Sequence, residues 1–415
     1  MSRRAWGGWG AVLGPGLLVA ATGVGAGDLV TASLAGSEVG LVVVWAALLG
    51  AGLKWTLNEG VARWQMATGT TLLEGWHRRL GGWFSWLFLV YFFLWTFAVG
   101  GALVNACGIA ATAFFTVGDA ETSKIVWGVL HSIAGALLVW RGGFERFERV
   151  MAVCVGVMVV SVVMTATLIA AEAPVAVVRE MFLPAVSFTR GDWTWFLGVL
   201  GGVGGTVTML SYGYWIREAG RRDHEGLRTS RIDLAVSYGV TAVFGVGMVI
   251  IGSRIGGTGQ GARVAVQLAE QLATVLGGPA RWLFLVGFWG AVFSSLLGVW
   301  QSVPYIFADF VRARRGKPAD AAIASDLQES RAYRWYLLGV AVVPLVLLWT
   351  TVRQVQLVYA TLGAWFMPLV ALTLLVMNNR SRWVGQSFRN GWAINGLLVV
   401  TLGLFAYLAL MGIRA

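Results

Sequence analysis

The chain has 415 residues, 57% of them hydrophobic and only 12% charged, with a formal net charge of +11. A soluble domain carries about 25% charged residues, so this composition lies far outside the range of ordinary soluble enzymes and binding modules. The Lys and Arg residues sit in short loops between apolar runs, which argues against a nucleic-acid partner and for a multi-pass membrane protein whose basic loops stay in the cytoplasm.

The apolar runs are about 20 residues long, the length that crosses a hydrocarbon core roughly 30 Å thick. Eleven spans are predicted, at about 11–35, 39–66, 83–115, 124–140, 147–171, 193–216, 232–253, 280–306, 333–351, 355–377 and 392–412. With the N-terminus in the cytoplasm, the inside loops hold residues 77–80, 141–149, 217–231, 312–317 with 329–334, and 378–390, and most of the basic residues. The outside loops, at 36–38, 118–124, 172–191, 257–263 and 350–354, hold few. This alternation fits a protein of the inner (plasma) membrane with the lipid bilayer as its partner. Trp83, Trp86, Trp193 and Trp195 fall near predicted span ends, where indole rings mark the membrane interface.

In chain order, the opening MSRRAWGG lacks a small-residue cleavage site and runs into span 1, so it reads as the start of a spanning helix, not a cleaved signal. Span 1 carries a mid-membrane Gly cluster, GPGLLVAATGVGAGDLVTAS at 14–33. Span 2 holds Lys54, about 15 residues in and some 22 Å along a helix. It either snorkels to the interface or supplies a fixed positive charge in the interior. Glu59 and Arg63 are spaced for an i,i+4 ion pair. Cys107 in span 3 and Cys154 in span 5 lie inside apolar runs, so no disulfide framework or redox role is expected. Of the three histidines, His77 and His224 fall in loops, and His131 lies in span 4. Span 6 repeats the Gly cluster, FLGVLGGVGGTVTMLSYGYW at 196–215, and contains Tyr212 and Tyr214, which either line an inner path or, as aromatic residues on an apolar span usually do, serve packing. Asp233 opens span 7, within reach of Arg231 or Arg228, and reads as helix-end electrostatics.

Spans 1 and 6 stand five apart, the spacing of a five-plus-five inverted repeat whose first helices break at the bilayer centre to bind substrate. A single transporter domain over 1–415 is expected, with a first repeat at about 11–171, a second at about 193–377 and an extra helix at about 392–412.

The residues also resemble a family. The stretch from Gly14 to TGTTLLEGW (68–76), with LGP at 13–15 and VARWQMATG at 61–69, is similar to the first two helices of Nramp divalent-metal transporters. RGGFERFERVMAV (141–153), LGGPARWLFLVGFWGAVFSSLLGVWQS (276–302) and FMPLVALTLLVMNNR (366–380) resemble the family's helix 4–5 link, helix 8 and the end of helix 10, in order. The resemblance implies an all-α, LeuT-type fold of about eleven helices with helices 1 and 6 broken at mid-membrane.

The family's metal motifs are altered. Its Asp-Pro-Gly-Asn in helix 1 aligns with Gly25, Ala26, Gly27 and Asp28, and its Met-Pro-His in helix 6 with Thr208, Met209 and Leu210. The acidic pair of its helix 3 has no counterpart in FLWTFAVGGALVNACG (93–108). A carboxylate at membrane depth is costly unless paired, hydrated or bound to an ion, so Asp28 either contacts metal, caps the second half of helix 1, or pairs with Lys54. Thr22 and Gly205 could add carbonyls, and Thr22, Thr208 and Ser211 hydroxyls; Gly25 contributes either a carbonyl or only space. Such an all-oxygen set suits hard cations such as Mg²⁺ or Mn²⁺, and the resemblance extends to magnesium transporters lacking the same Met.

The expected function is therefore a secondary transporter of a hard divalent cation, taken as substrate and with no cofactor. Proton coupling is not expected, because the histidines and helix 3 offer no relay. The alternative is a carrier of the same fold for a small anion or amino acid, using Lys54 and the half-helix ends. A sensor or scaffold that kept the fold is a third class, against which stands the lack of any inserted soluble domain. No nucleophile–base pair or phosphate loop points to an enzyme, and a monomer is expected.

Overall fold

The computed structural model describes residues 9–25, 27–141, 144–172, 175, 178–179, 190–254, 270, 278–315 and 327–414; the side chains of some of these, Asp28 and Cys154 among them, lie outside the description. Each of the eleven expected ranges is occupied by helix. The first is broken into α1a (Trp9–Gly23) and α1b (Ala32–Val39), joined by a wide turn at Gly27–Thr31. Then come α2 (Val44–Thr68), α3 (Gly82–Thr112), α4 (Ala120–Arg141) and α5 (Phe144–Glu172). The sixth is broken into α6a (Arg190–Gly202) and α6b (Tyr212–Glu218), with a tight turn at Val207–Ser211 between them. It is followed by α7 (Asp223–Ser253), α8 (Gly278–Arg314), α9 (Arg331–Val342, tightened over Val343–Trp349), α10 (Val352–Met377) and α11 (Trp392–Arg414). Among the described residues, nine helical segments are long and apolar enough to cross a membrane.

Local sequence explains the helix ends. Gly69 takes the left-handed conformation after α2 and donates its N–H to the Gln65 carbonyl. Ser330 and Thr351 cap α9 and α10 by accepting the N–H of Tyr333 and Gln354. Asp119 accepts the N–H and hydroxyl of Thr122 at the start of α4, and these bonds hold its exposed carboxyl below the usual carboxylate range.

The structure corrects several boundaries. The outside loop expected at 36–38 is still helix, and the chain turns at Gly40 instead. The basic stretch 223–231 is the first part of α7, not loop, because Asp223 and Glu225 supply acidic residues to its first turn. Trp83 and Trp86 are exposed as interface residues should be, whereas Trp195 is buried, with the Arg353 guanidinium 5.3 Å from its ring.

Helix α3 shows how the bundle meets lipid. Trp83, Trp86, Leu87, Val90 and Leu94 form an exposed apolar stripe, while Phe88, Phe92, Trp95 and Val99 face the core. The core lies around the broken helices. α1a packs on α7 and α8, α1b on α7, α6a on α10, and α2 on α7.

The end of the bundle that carries the basic loops is tied by buried carboxylates. Asp233 accepts from the backbone N–H of Gly16 (3.0 Å), the Tyr212 hydroxyl (3.0 Å) and Arg221 (2.7 Å), joining α1a, α6b and α7. Its ionic partner is thus Arg221, not Arg231 or Arg228. Arg231 instead joins Arg63 on Glu59, confirming the Glu59–Arg63 pair expected from spacing. Asp309 accepts from Thr71 (2.6 Å), Tyr214 (2.7 Å) and Arg312 (2.6 Å), and Arg312 also reaches Glu74 (3.1 Å).

Candidate functional site at the two helix breaks

The breaks of spans 1 and 6 meet backbone to backbone. A Cβ on Gly23 would lie 2.7 Å from the carbonyl carbon of Gly204, and one on Gly205 would lie 3.2 Å from the Cα of Gly23. Gly204 and Gly205 both have positive φ, 82° and 69°, a conformation that glycine adopts without penalty. The Gly clusters therefore serve two needs: a reversal of chain direction in span 6 and contact without intervening side chains.

Breaking a helix leaves its last carbonyls without intrahelical donors, and inside a membrane each must find one. In span 1 the Val24 N–H still reaches the Ala20 carbonyl (2.7 Å), and helical bonding resumes with the Leu29 N–H on the Gly25 carbonyl (2.8 Å). Between them, the Thr22 carbonyl accepts from the Ser295 hydroxyl (2.8 Å) and the Ala21 carbonyl from Ser294 (3.4 Å), both on α8. In span 6 the last α6a bond runs from Val203 N–H to Val199. The carbonyls of Gly201 and Val203 accept from Lys54 Nζ, the first at 2.7 Å.

Lys54 is fully buried, so the snorkelling expected as one reading does not occur. The reason is local. Gly50, one turn earlier on α2, lets that helix approach α6a so closely that a Cβ there would lie 2.9 Å from the Leu200 carbonyl oxygen. The ammonium then meets the negative end of a half-helix, where a cation is favoured.

The other expected site residues are placed as follows. Thr22 is buried at the end of α1a; its Oγ1 has no hydrogen-bond partner among the described residues and faces Gly298 on α8. Gly25 packs against Ser295, and a Cβ there would lie 2.1 Å from the Ser295 hydroxyl oxygen. Thr208 is buried, its hydroxyl turned toward Gly205. Ser211 is buried with an unpartnered Oγ. The backbone of Asp28 lies in the Gly27–Thr31 turn, and its side chain is outside the described residues. Thr22, Gly25, Gly205, Thr208 and Lys54 thus all belong to the two breaks or touch them.

Sequence reasoning missed Ser294, Ser295 and Gly298. The signal was present as SSLLG (294–298), small and hydroxylated residues in an otherwise bulky apolar span. No cluster of three or more His, Cys, Asp or Glu side chains able to hold a metal occurs among the described residues. His131 is engaged in packing. It accepts from Trp289 Nε1 (2.8 Å) at Nε2, leaving Nδ1 to donate to the Trp127 carbonyl (2.7 Å). Cys107 is a buried free thiol.

Paired broken helices within an apolar bundle define a polytopic membrane protein of the LeuT-type fold. A manganese transporter from Eremococcus coleocola, solved as a mutant, superimposes with a TM-score of 0.75 at 17% identity, covering 99% of this chain and 88% of that one. MhsT in complex with L-phenylalanine matches with a TM-score of 0.63 at 15% identity, over 100% and 99% of the two chains. Mhp1, a nucleobase-cation-symport-1 family transporter in a closed conformation, gives 0.52 at 13% identity, over 96% and 93%. None of the curated proteins compared matches the sequence. The family model for natural resistance-associated macrophage protein-like (Nramp) proteins matches residues 16–414, and the chain belongs to the Nramp family.

Proposed function

We propose that the protein carries a hard divalent cation, such as Mg²⁺ or Mn²⁺, across the inner (plasma) membrane, with its N-terminus and basic loops in the cytoplasm. The observation that carries this reading is the meeting of Gly23 with Gly204, which gathers the polar atoms of both breaks at one place. Family membership supports divalent metal as cargo, and the manganese transporter among the structural neighbours agrees with it. The side chains at the breaks that remain available, Thr22, Thr208 and Ser211, present hydroxyl oxygens, and Asp28, whose backbone lies in the Gly27–Thr31 turn, is the carboxylate proposed to complete the set. Oxygen donors of this kind favour hard cations over soft ones.

Transport is proposed to run without proton coupling. Each histidine is occupied elsewhere: His131 against Trp289, His224 stacked on Phe388 at 4.1 Å, and His77 beside Ser85. The membrane potential suffices as a driving force, since a divalent ion gains about 4.6 kcal/mol per 100 mV. The transporter is proposed to work as a monomer of two five-helix repeats, about 11–171 and 193–377, with an added last helix.

The test is uptake of Mg²⁺ and Mn²⁺ into proteoliposomes under an inside-negative potential, for the wild type and Asp28→Asn. Saturable uptake that the substitution abolishes and that is indifferent to a pH gradient supports the reading. Uptake that tracks the pH gradient removes the uncoupled mechanism.

The buried Lys54 ammonium favours a second reading, in which the same breaks bind a small anion or an amino acid through its carboxylate. That reading requires saturable uptake of such a solute, absence of cation uptake, and loss of solute uptake in Lys54→Met.

A further inference from the structure

Three buried polar side chains without partners among the described residues lie along the seam where α1a and the Val207–Ser211 turn pack on α8, leading from the breaks toward the basic end. Gln301 on α8 is 4% exposed, and neither its Nε2 nor its Oε1 has a hydrogen-bond partner among the described residues. Ser211 Oγ and Thr22 Oγ1 are in the same condition. Buried amides and hydroxyls in native proteins are almost always satisfied, so three unpartnered ones following one another from the breaks point to water or ligand as their partners.

Their placement follows from contacts on either side. Thr22 lies against Gly298, where a Cβ would be 2.3 Å from Thr22 Oγ1. Gln301 follows Gly298 by three residues in an uninterrupted helix, so it occupies the same face one turn further on. On the opposite wall, the Val207–Ser211 turn packs against α8. Tyr214, one turn beyond Ser211, packs on Tyr305, one turn beyond Gln301, with ring centroids 5.7 Å apart. Ser211 and Gln301 therefore flank the same seam one turn nearer the breaks than this tyrosine pair. The seam is closed beyond it, where Tyr214 donates to Asp309 at 2.7 Å and Asp309 binds Arg312.

We propose that Gln301, with Ser211 and Thr22, forms a second polar station on the cytoplasmic side of the breaks, which contacts the transported divalent cation through the waters it retains. This rests on the cation reading above. Waters bound to a cation point their hydrogens outward and need acceptors. The Gln301 amide oxygen and the two hydroxyl oxygens supply them. Mg²⁺ in particular sheds its waters reluctantly and is bound with several of them in place. The station carries no formal charge, so it can hold a hydrated ion without trapping it. The tyrosine pair and Asp309 then form the stopper that must open for release.

The experiment is Mn²⁺ uptake into proteoliposomes together with the Mn²⁺-induced thermal shift of the purified protein, for the wild type, Gln301→Leu and Gln301→Glu. Loss of an outer contact to a metal lowers affinity or activity about 10–100-fold, so Gln301→Leu is expected to lower uptake efficiency at least tenfold and to shrink the Mn²⁺-induced shift. Gln301→Glu is expected to lower the KM for Mn²⁺ and enlarge the shift. If Gln301→Leu transports with wild-type KM and rate while its ion-free melting temperature rises, the amide was merely an unsatisfied packing residue and the station is refuted. If Gln301→Leu does not fold, an unchanged KM in Gln301→Glu refutes it equally. A wild type that neither takes up Mn²⁺ nor shifts with it removes the cation reading and the station with it, an outcome visible before either variant is measured.

Discussion

Lys54 Nζ donates to the Gly201 carbonyl at 2.7 Å and also to that of Val203, so a buried ammonium from α2 seals the end of α6a. The equivalent end of α1a is sealed by neutral donors, the hydroxyls of Ser294 and Ser295. The two halves thus solve one problem, freed carbonyls in a membrane, with different chemistry. The charge at the second break also occupies oxygens that would otherwise be free to hold a cation.

Lys54→Met should therefore act first on stability. It removes a charged donor from two buried carbonyls, and a hydrogen bond to a charged group contributes about 1.5–3 kcal/mol. A drop of several degrees in the melting temperature of the detergent-solubilised protein is expected. An unchanged melting temperature would mean that the carbonyls find water and that the ammonium is not a structural cap.

Gly23→Ala tests the contact between the breaks. The added Cβ would lie 2.7 Å from the Gly204 carbonyl carbon, and backbone, unlike a side chain, has no rotamer to yield. Overpacking of this kind costs about 1–3 kcal/mol, here by prising apart the atoms of the proposed site. Uptake should fall at least tenfold while the protein remains folded by circular dichroism. Wild-type uptake would show that transport does not depend on the two breaks staying in register.

Asp233→Asn tests the tie at the basic end. Asp233 and Arg221 are both buried, at 0% and 6% exposure, and removing one partner of a buried pair costs about 3–5 kcal/mol. Because Asp233 also accepts the Gly16 N–H at 3.0 Å, the substitution should loosen α1a from α7 in particular. Faster hydrogen exchange of amides near Gly16, with little change in α3, is the expected pattern. Uniform acceleration throughout would assign Asp233 to global stability alone.

Much of this was legible in the sequence because membrane insertion imposes one-dimensional rules. Span lengths follow from bilayer thickness, loop charge follows the insertion bias, and a Gly cluster in mid-span signals a break. Local pairs such as Glu59–Arg63 are also readable, since they depend only on helical spacing. Partners set by tertiary packing were not readable. Asp233 lies close in sequence to Arg228 and Arg231, yet pairs with Arg221, because the α6b–α7 turn folds Arg221 back onto α7. Lys54 was expected to be able to snorkel, and only the freed carbonyls of α6a, brought near by Gly50, determine otherwise. Gln301 carried no signal at all, since one amide in an apolar span says nothing about whether it will find a partner.

Thr22→Val separates the hydroxyl of Thr22 from its carbonyl. Valine keeps the shape and branching of threonine, and the Thr22 carbonyl keeps its bond from Ser295 at 2.8 Å. The hydroxyl has no partner to lose among the described residues, so the ion-free melting temperature should stay level or rise, as expected when an unsatisfied buried group is removed. If the hydroxyl contacts the cargo, the KM for Mn²⁺ should rise while stability does not fall. Gly298→Ala makes a second approach to the same atom, since its Cβ would lie 2.3 Å from Thr22 Oγ1 and must displace that side chain. The two variants should raise KM together. If Thr22→Val transports as the wild type does and only Gly298→Ala is impaired, the effect belongs to helix packing between α1a and α8, and Thr22 is not a ligand.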